Sequence, residues 1–154
     1  MNNVLVRTAA AADAELLCNM LHALAEFEGM SEKCQTTAAD IAQMLTEPNG
    51  LFGLVAEVDG KAVGMALLSF YRLATFSGKR VCYVEDVFVA EGFRGCGVGT
   101  ALFEKIKEIS AERRCIKTEW KCLSWNENAR RFYERIGGVC SQEWLTYTIE
   151  HGNY

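Results

Sequence analysis

The chain has 154 residues, 50% hydrophobic and 23% charged, with a single Pro. That is the usage of one globular domain, long enough to bury roughly 68–70% of its unfolded surface without a metal or disulfide. The net charge of −4, from 20 acidic and 16 basic side chains, argues against a nucleic-acid binder, which needs a basic face to release counterions. It suits a cationic substrate, while the basic residues gathered between Arg94 and Arg135 leave room for an anion in the second half.

Val4-Leu5-Val6 reads as a first strand, and Asp13 is placed to cap a helix whose Leu16, Leu17, Met20, Leu21 and Leu24 recur at helical spacing up to Gly29. A second helix runs from about Ala38 to Leu45, with Thr37 as N-cap, Asp40 three residues on, and Pro48-Asn49-Gly50 as its stop. The period then changes. Leu51 to Val58 and Lys61 to Tyr71 are extended runs joined by Asp59-Gly60, a type I′ hairpin signal, and Ser77-Gly78 introduces a third run from Val81 to Val89. These predict an antiparallel meander. A helix follows from Gly99 to Arg113 with Leu102, Ile106 and Ile109 on one face, then a strand from Ile116 to Leu123. A helix from Asn126 to Ile136 carries Ala129, Phe132, Tyr133 and Ile136 on one stripe and stops at Gly137-Gly138; a last strand is expected from about Trp144 to Ile149. The order predicts one α/β domain over residues 1–154, with a mixed, largely antiparallel central sheet flanked by about four helices.

Seven cysteines, odd in number and without a CxxC pair, fit neither a disulfide framework nor a zinc site; they read as thiols of a reducing cytoplasm. The N-terminus shows no signal-peptide pattern, and no apolar run reaches membrane-spanning length.

The chemistry points to Phe93-Arg94-Gly95-Cys96-Gly97-Val98-Gly99-Thr100, between an apolar strand and an amphipathic helix. Its glycines permit unusual backbone angles and close approach of a ligand. Successive N–H groups, the positive helix end and Arg94 suit a phosphate or pyrophosphate. The alternative is a flexible connecting turn. A P-loop is excluded because Gly-Lys-Ser/Thr is absent. A dinucleotide fingerprint fails because Thr100 stands where its third small residue belongs.

Arg94-x-x-Gly97-x-Gly99, together with the order of elements and the later segment from Trp125-Asn126-Glu127 to Phe132-Tyr133, resembles the GNAT acetyltransferase superfamily over essentially the whole chain. Ala25-Glu26-Phe27-Glu28-Gly29-Met30, Val84-Glu85-Asp86-Val87-Phe88-Val89 and Trp125-Asn126-Glu127 are similar to the diamine (spermidine/spermine) and thialysine acetyltransferase branch. The resemblance implies acetyl-CoA as cosubstrate, a homodimer, and a diamine, polyamine or lysine-like acceptor, with no nucleic acid or membrane as partner. Other amine acceptors, or a CoA-binding module without chemistry, remain the alternatives.

A primary ammonium must lose a proton before it attacks a thioester, and Glu85 matches the acid that binds the amine and assists that step. Tyr133 matches the general acid that protonates the departing thiolate; otherwise it is a core tyrosine of its stripe. Strand alternation turns Asp86 to the face opposite Glu85 unless a bulge intervenes. The resemblance further implies that the backbone of Val87, Phe88 and Val89 pairs with the pantetheine arm, with the Val87 N–H polarising the acetyl carbonyl. Residues Arg94, Gly95, Cys96, Gly97, Val98, Gly99 and Thr100 would bind the pyrophosphate. Asn126, Ala129, Tyr133 and Arg135 complete the cofactor set. On the acceptor side it implies Phe27 and Glu28, and more weakly Glu119, Trp120, Lys121 and Trp144. Two features depart from the polyamine enzymes: Ala74 and Phe76 replace an acidic and an indole side chain, and the turn before Trp144 is shorter. No metal ligand set is indicated.

Overall fold

The computed structural model describes residues 3–152. The chain divides into two units, one ending at Lys121 and the other beginning at Cys122. The first contains β1 (Val4–Thr8), α1 (Ala14–Phe27), α2 (Ala38–Thr46), β2 (Phe52–Val58), β3 (Lys61–Leu73), β4 (Lys79–Val89), α3 (Val98–Glu112) and β5 (Cys115–Trp120); the second contains α4 (Glu127–Arg135). The five strands lie in chain order, antiparallel from β1 to β4, and β5 pairs parallel with β4. Helix α3 is the crossover that a parallel pair requires. The result is the expected α/β class: a mixed, mostly antiparallel sheet with four α-helices among the described residues.

Local chemistry explains most boundaries. Asp59 and Gly60 both have positive φ, 50° and 77°, as a type I′ turn demands. Thr37 and Asp40 form a reciprocal capping box: the Thr37 N–H donates to Asp40 Oδ2 at 2.8 Å and the Asp40 N–H to Thr37 Oγ1 at 3.2 Å. Asp13 behaves differently from the expected cap. Its carboxylate accepts both Arg7 Nη donors at 2.9 Å and the Ala10 N–H at 2.8 Å, bracing a 3-10 turn ahead of α1.

Odd-numbered β3 residues Met65 and Leu67, with Val55, face α1 and α2 through Leu17, Cys18, Met20 and Ile41. The opposite face carries Leu54, Ala66 and Leu68, and Gly64 lets Val98 and Leu102 of α3 approach. Leu17 is fully buried among these groups. Leu17→Ala should lower the unfolding free energy by about 3 kcal/mol, checked by urea denaturation.

Two departures from expectation have reasons not local to the strands. β5 ends at Trp120 because its ladder with β4 ends at Val84↔Trp120. The run from Trp144 to Ile149 is not a strand: it has no ladder partner among the described residues, and Trp144, Leu145, Tyr147 and Ile149 are exposed. Alternating apolar residues favour an extended chain, but only a neighbouring strand satisfies its backbone.

Candidate functional site

Strand β4 pairs Leu67 with Asp86 and Leu68 with Val84, so Glu85 is an extra residue with no partner on β3. This bulge decides which carboxylate faces where. Were Val84, Glu85 and Asp86 each paired in turn, Asp86 would share the α3 side with Cys82 and Val84. With the bulge, Asp86 stands opposite Leu67, on the α1/α2 face with Tyr83. The expectation from simple alternation is corrected there. Glu85 is exposed at the bulge, and Asp86 is largely covered. Burial, then the nearby charges of Glu85 and Glu28, push the Asp86 carboxyl up to about 6. Burial also raises Glu28, just past the end of α1. Asp86 is therefore a covered carboxylate that alternation alone places on the wrong face. Its only signal in the sequence is the adjacent pair Glu85-Asp86, which a bulge can present together.

The same face continues across β4, β3 and β5. Tyr83 lies in register with Glu119, whose carboxylate accepts the Tyr71 hydroxyl and pairs with Lys117 Nζ at 2.9 Å. Burial pushes Glu119 up, but the bonds from Tyr71 and Lys117 outweigh it and leave the carboxyl below its usual value. Tyr71 is pushed up to about 12 by burial and by Glu119. Trp120 lies on the other side of β5, edge-on to Phe103 of α3 with ring centroids 5.1 Å apart. Lys121 is exposed just beyond the strand.

Beyond Val84 the β5-facing edge of β4 has no ladder with β5, although Val87, Phe88 and Val89 remain paired to β3. The Phe88 side chain packs into the α1/α2 core, so it has only backbone to offer a ligand. A 3-10 turn, Glu91–Phe93, then leads to the glycine segment. Gly95 and Gly97 have φ of 74° and 83°, and a Cβ on either would meet no protein atom within 4 Å. Their lack of side chain therefore answers to backbone conformation and to open space, not to packing. Gly97 is the N-cap of α3, no side chain caps that end, and its first turn holds no acid. The first helical bond runs from the Ala101 N–H to the Gly97 carbonyl at 2.9 Å, so the N–H groups of Val98, Gly99 and Thr100 precede it. Val98 itself is buried and anchors the loop, and Cys96 is exposed with its thiol 3.7 Å from the Arg94 carbonyl. These are the attributes of an anion cradle, and a pyrophosphate fits it. Arg94 Nε donates to the Val89 carbonyl at 3.0 Å, and its guanidinium lies 5.0 Å from the centre of the Phe27 ring.

The first unit thus gathers Glu28, Glu85 and Asp86 about the bulge of β4, and Phe27 and Arg94 about the strand's end at Val89. From Asp86 to Val89 the strand spans roughly 10 Å. A cation-attracting patch and an anion cradle sit at opposite ends of one open strand edge. Such an arrangement can hold an extended ligand by its phosphates and present its far end to an amine.

In the second unit, Asn126 Oδ1 accepts the Ala129 N–H at 3.2 Å, which makes it the N-cap of α4. Tyr133 follows Ala129 by four residues on the same side of the helix. Its ring is 5.6 Å from that of Phe132, over which the Arg135 guanidinium also lies at 5.6 Å. Trp144 is exposed.

Residues 18–138 match the Acetyltransferase (GNAT) family. The chain is 29% identical to a thialysine N-epsilon-acetyltransferase of Caenorhabditis elegans, over 97% of this chain and 94% of that one. Identity to the Mus musculus protein of the same name is 28% over the same shares. An aminoglycoside N-acetyltransferase AAC(6')-Iy solved in complex with CoA superposes with a TM-score of 0.79 at 18% identity, covering 98% of this chain and 97% of that one. Enzymes of this family use acetyl-CoA. A match across the core strands, the glycine cradle and α4 makes this chain an enzyme of the GNAT acetyltransferase family.

Proposed function

We propose that the protein acetylates the primary amine of a small diamine, polyamine or lysine analogue by direct attack with both substrates bound. The observation that carries this reading is the single open edge of β4, with the acidic face at its bulge and the anion cradle beyond its end. Bound acetyl-CoA supplies an activated acetyl thioester.

The N–H groups opening α3, with Arg94, hold the pyrophosphate. Val87 and Val89 offer main-chain hydrogen bonds to the amide-bearing arm, and the Val87 N–H polarises the acetyl carbonyl. Glu85 and Asp86 attract the ammonium. Asp86, with its carboxyl raised to about 6, is suited to accept a proton at neutral pH. Glu85 keeps the role of drawing in the cation and of raising Asp86.

Asn126, Ala129 and Arg135 add cofactor contacts, and Tyr133 protonates the departing thiolate. A thiolate is already a fair leaving group near neutrality, so Tyr133→Phe should lower kcat only about 10- to 30-fold, with the KM for acetyl-CoA unchanged. Steady-state kinetics checks this.

Within the acceptor class, the Lys117–Glu119 pair favours a lysine-like molecule over a long polycation. At the far end of the acidic face Glu119 is already paired with Lys117 and accepts the Tyr71 hydroxyl, which leaves little to hold a third or fourth ammonium. The full-length likeness to thialysine acetyltransferases supports the same choice. A reducing cytoplasm and a homodimer complete the reading. The test measures CoA release with thialysine, lysine, ornithine, cadaverine, spermidine, an aminoglycoside and an N-terminal peptide. Thialysine and lysine should exceed spermidine in kcat/KM. Turnover of the aminoglycoside or peptide alone would overturn the proposed acceptor.

A further inference from the structure

We infer that Phe27 is a positioning residue for phosphate capture: its ring holds the Arg94 guanidinium in place for the cosubstrate, beyond any contact Phe27 makes with the amine. The inference rests on the acetyl-CoA reading above. Three parts of the first unit meet at this arginine. Nε donates to the Val89 carbonyl at the end of β4 at 3.0 Å. One face of the guanidinium lies over the last residue of α1, 5.0 Å from the Phe27 ring centre. Nη1 and Nη2 have no hydrogen-bond partner among the described residues, and two parallel donors are what a phosphate accepts.

An arginine on an exposed loop ordinarily loses its side-chain freedom when it binds an ion, and that loss weakens binding. Arg94 has lost much of it already. The Val89 carbonyl fixes the middle of the side chain, and the Phe27 ring covers the guanidinium. Phe27 is 46% exposed, so its principal task is not to fill the core. It also precedes Glu28 directly, so one helix end serves both the anion cradle and the acidic face.

The test compares acetyl-CoA with S-acetyl-pantetheine, a donor that lacks the diphosphate, and measures CoA affinity by calorimetry. Phe27→Leu should weaken CoA binding about 3- to 10-fold and lower kcat/KM for acetyl-CoA about 3- to 10-fold further than it lowers kcat/KM for S-acetyl-pantetheine. Phe27→Tyr, which keeps the ring face, should restore the wild-type CoA affinity to within about twofold. In an Arg94→Gln background, Phe27→Leu should have no further effect on CoA. Equal losses with both donors, or an undiminished loss in the Arg94→Gln background, would overturn the inference. So would unchanged CoA binding by Phe27→Leu, while leaving the acetyl-CoA reading intact. Wild-type protein that binds no CoA would overturn both.

Discussion

Replacing Asp86 by Asn is expected to lower kcat/KM for the amine by about 10²- to 10³-fold while leaving CoA affinity unchanged. Asn keeps the shape of the side chain but neither attracts an ammonium nor takes a proton. The wild-type profile of kcat/KM against pH should show an acidic limb with a midpoint near 6, the value to which burial, Glu85 and Glu28 push the Asp86 carboxyl. The limb should vanish in Asp86→Asn. In Glu85→Gln it should move to lower pH, because one of the charges that raise Asp86 is gone.

Stability should move the opposite way. Asp86 holds its proton more tightly in the folded chain than in the unfolded one. Its stabilising protonated form is therefore fully present below about pH 4 and lost as pH rises through about 6. Asn mimics that form at every pH. Thermal unfolding of the free protein should show Asp86→Asn more stable above pH 6, by on the order of 2 kcal/mol, and no different below pH 4. An active Asp86→Asn beside an inactive Glu85→Gln would assign the proton transfer to Glu85 instead.

The second large effect is expected at Gly97, through a pair of substitutions that differ only in charge. With φ of 83° and no protein atom within 4 Å of a Cβ, this position tolerates Asn or Asp, the residues least strained in the left-handed region. Both variants should fold, with similar melting temperatures. Gly97→Asn should weaken CoA binding about tenfold, by placing an amide where a phosphate approaches. Gly97→Asp should weaken it by more than about 10²-fold, because a carboxylate at the mouth of α3 repels the phosphate and satisfies the N–H groups that would have held it. Calorimetry with CoA checks both. Equal losses would mean that the site excludes bulk rather than holding an anion.

Features set by residues close together along the chain are legible in the amino-acid order alone. Asp59-Gly60 can only turn tightly, Thr37 and Asp40 can only cap each other across one turn, and the apolar stripe of α3 follows from its spacing. The anion cradle is equally visible, since glycines and a helix start are local properties. What is not legible depends on partners far along the chain. The Glu85 bulge exists only relative to Leu67 and Leu68 of β3. The early end of β5 follows from where β4 stops pairing with it. Residues 144–149 carry strand chemistry without a strand beside them among the described residues. The meeting of Arg94 with Phe27 spans 67 positions, the difference of their numbers, and no periodicity announces it.

The extra residue in β4 has a bearing on how such a site arises. On either side of Glu85, β4 keeps its alignment with β3, so Val84 and Asp86 occupy faces that a ladder without the insertion would also give them. Gaining or losing that one residue asks no core side chain to move. Insertion of a single codon can thus set a second carboxylate beside Asp86 in one evolutionary step, while the scaffold beneath stays as it was.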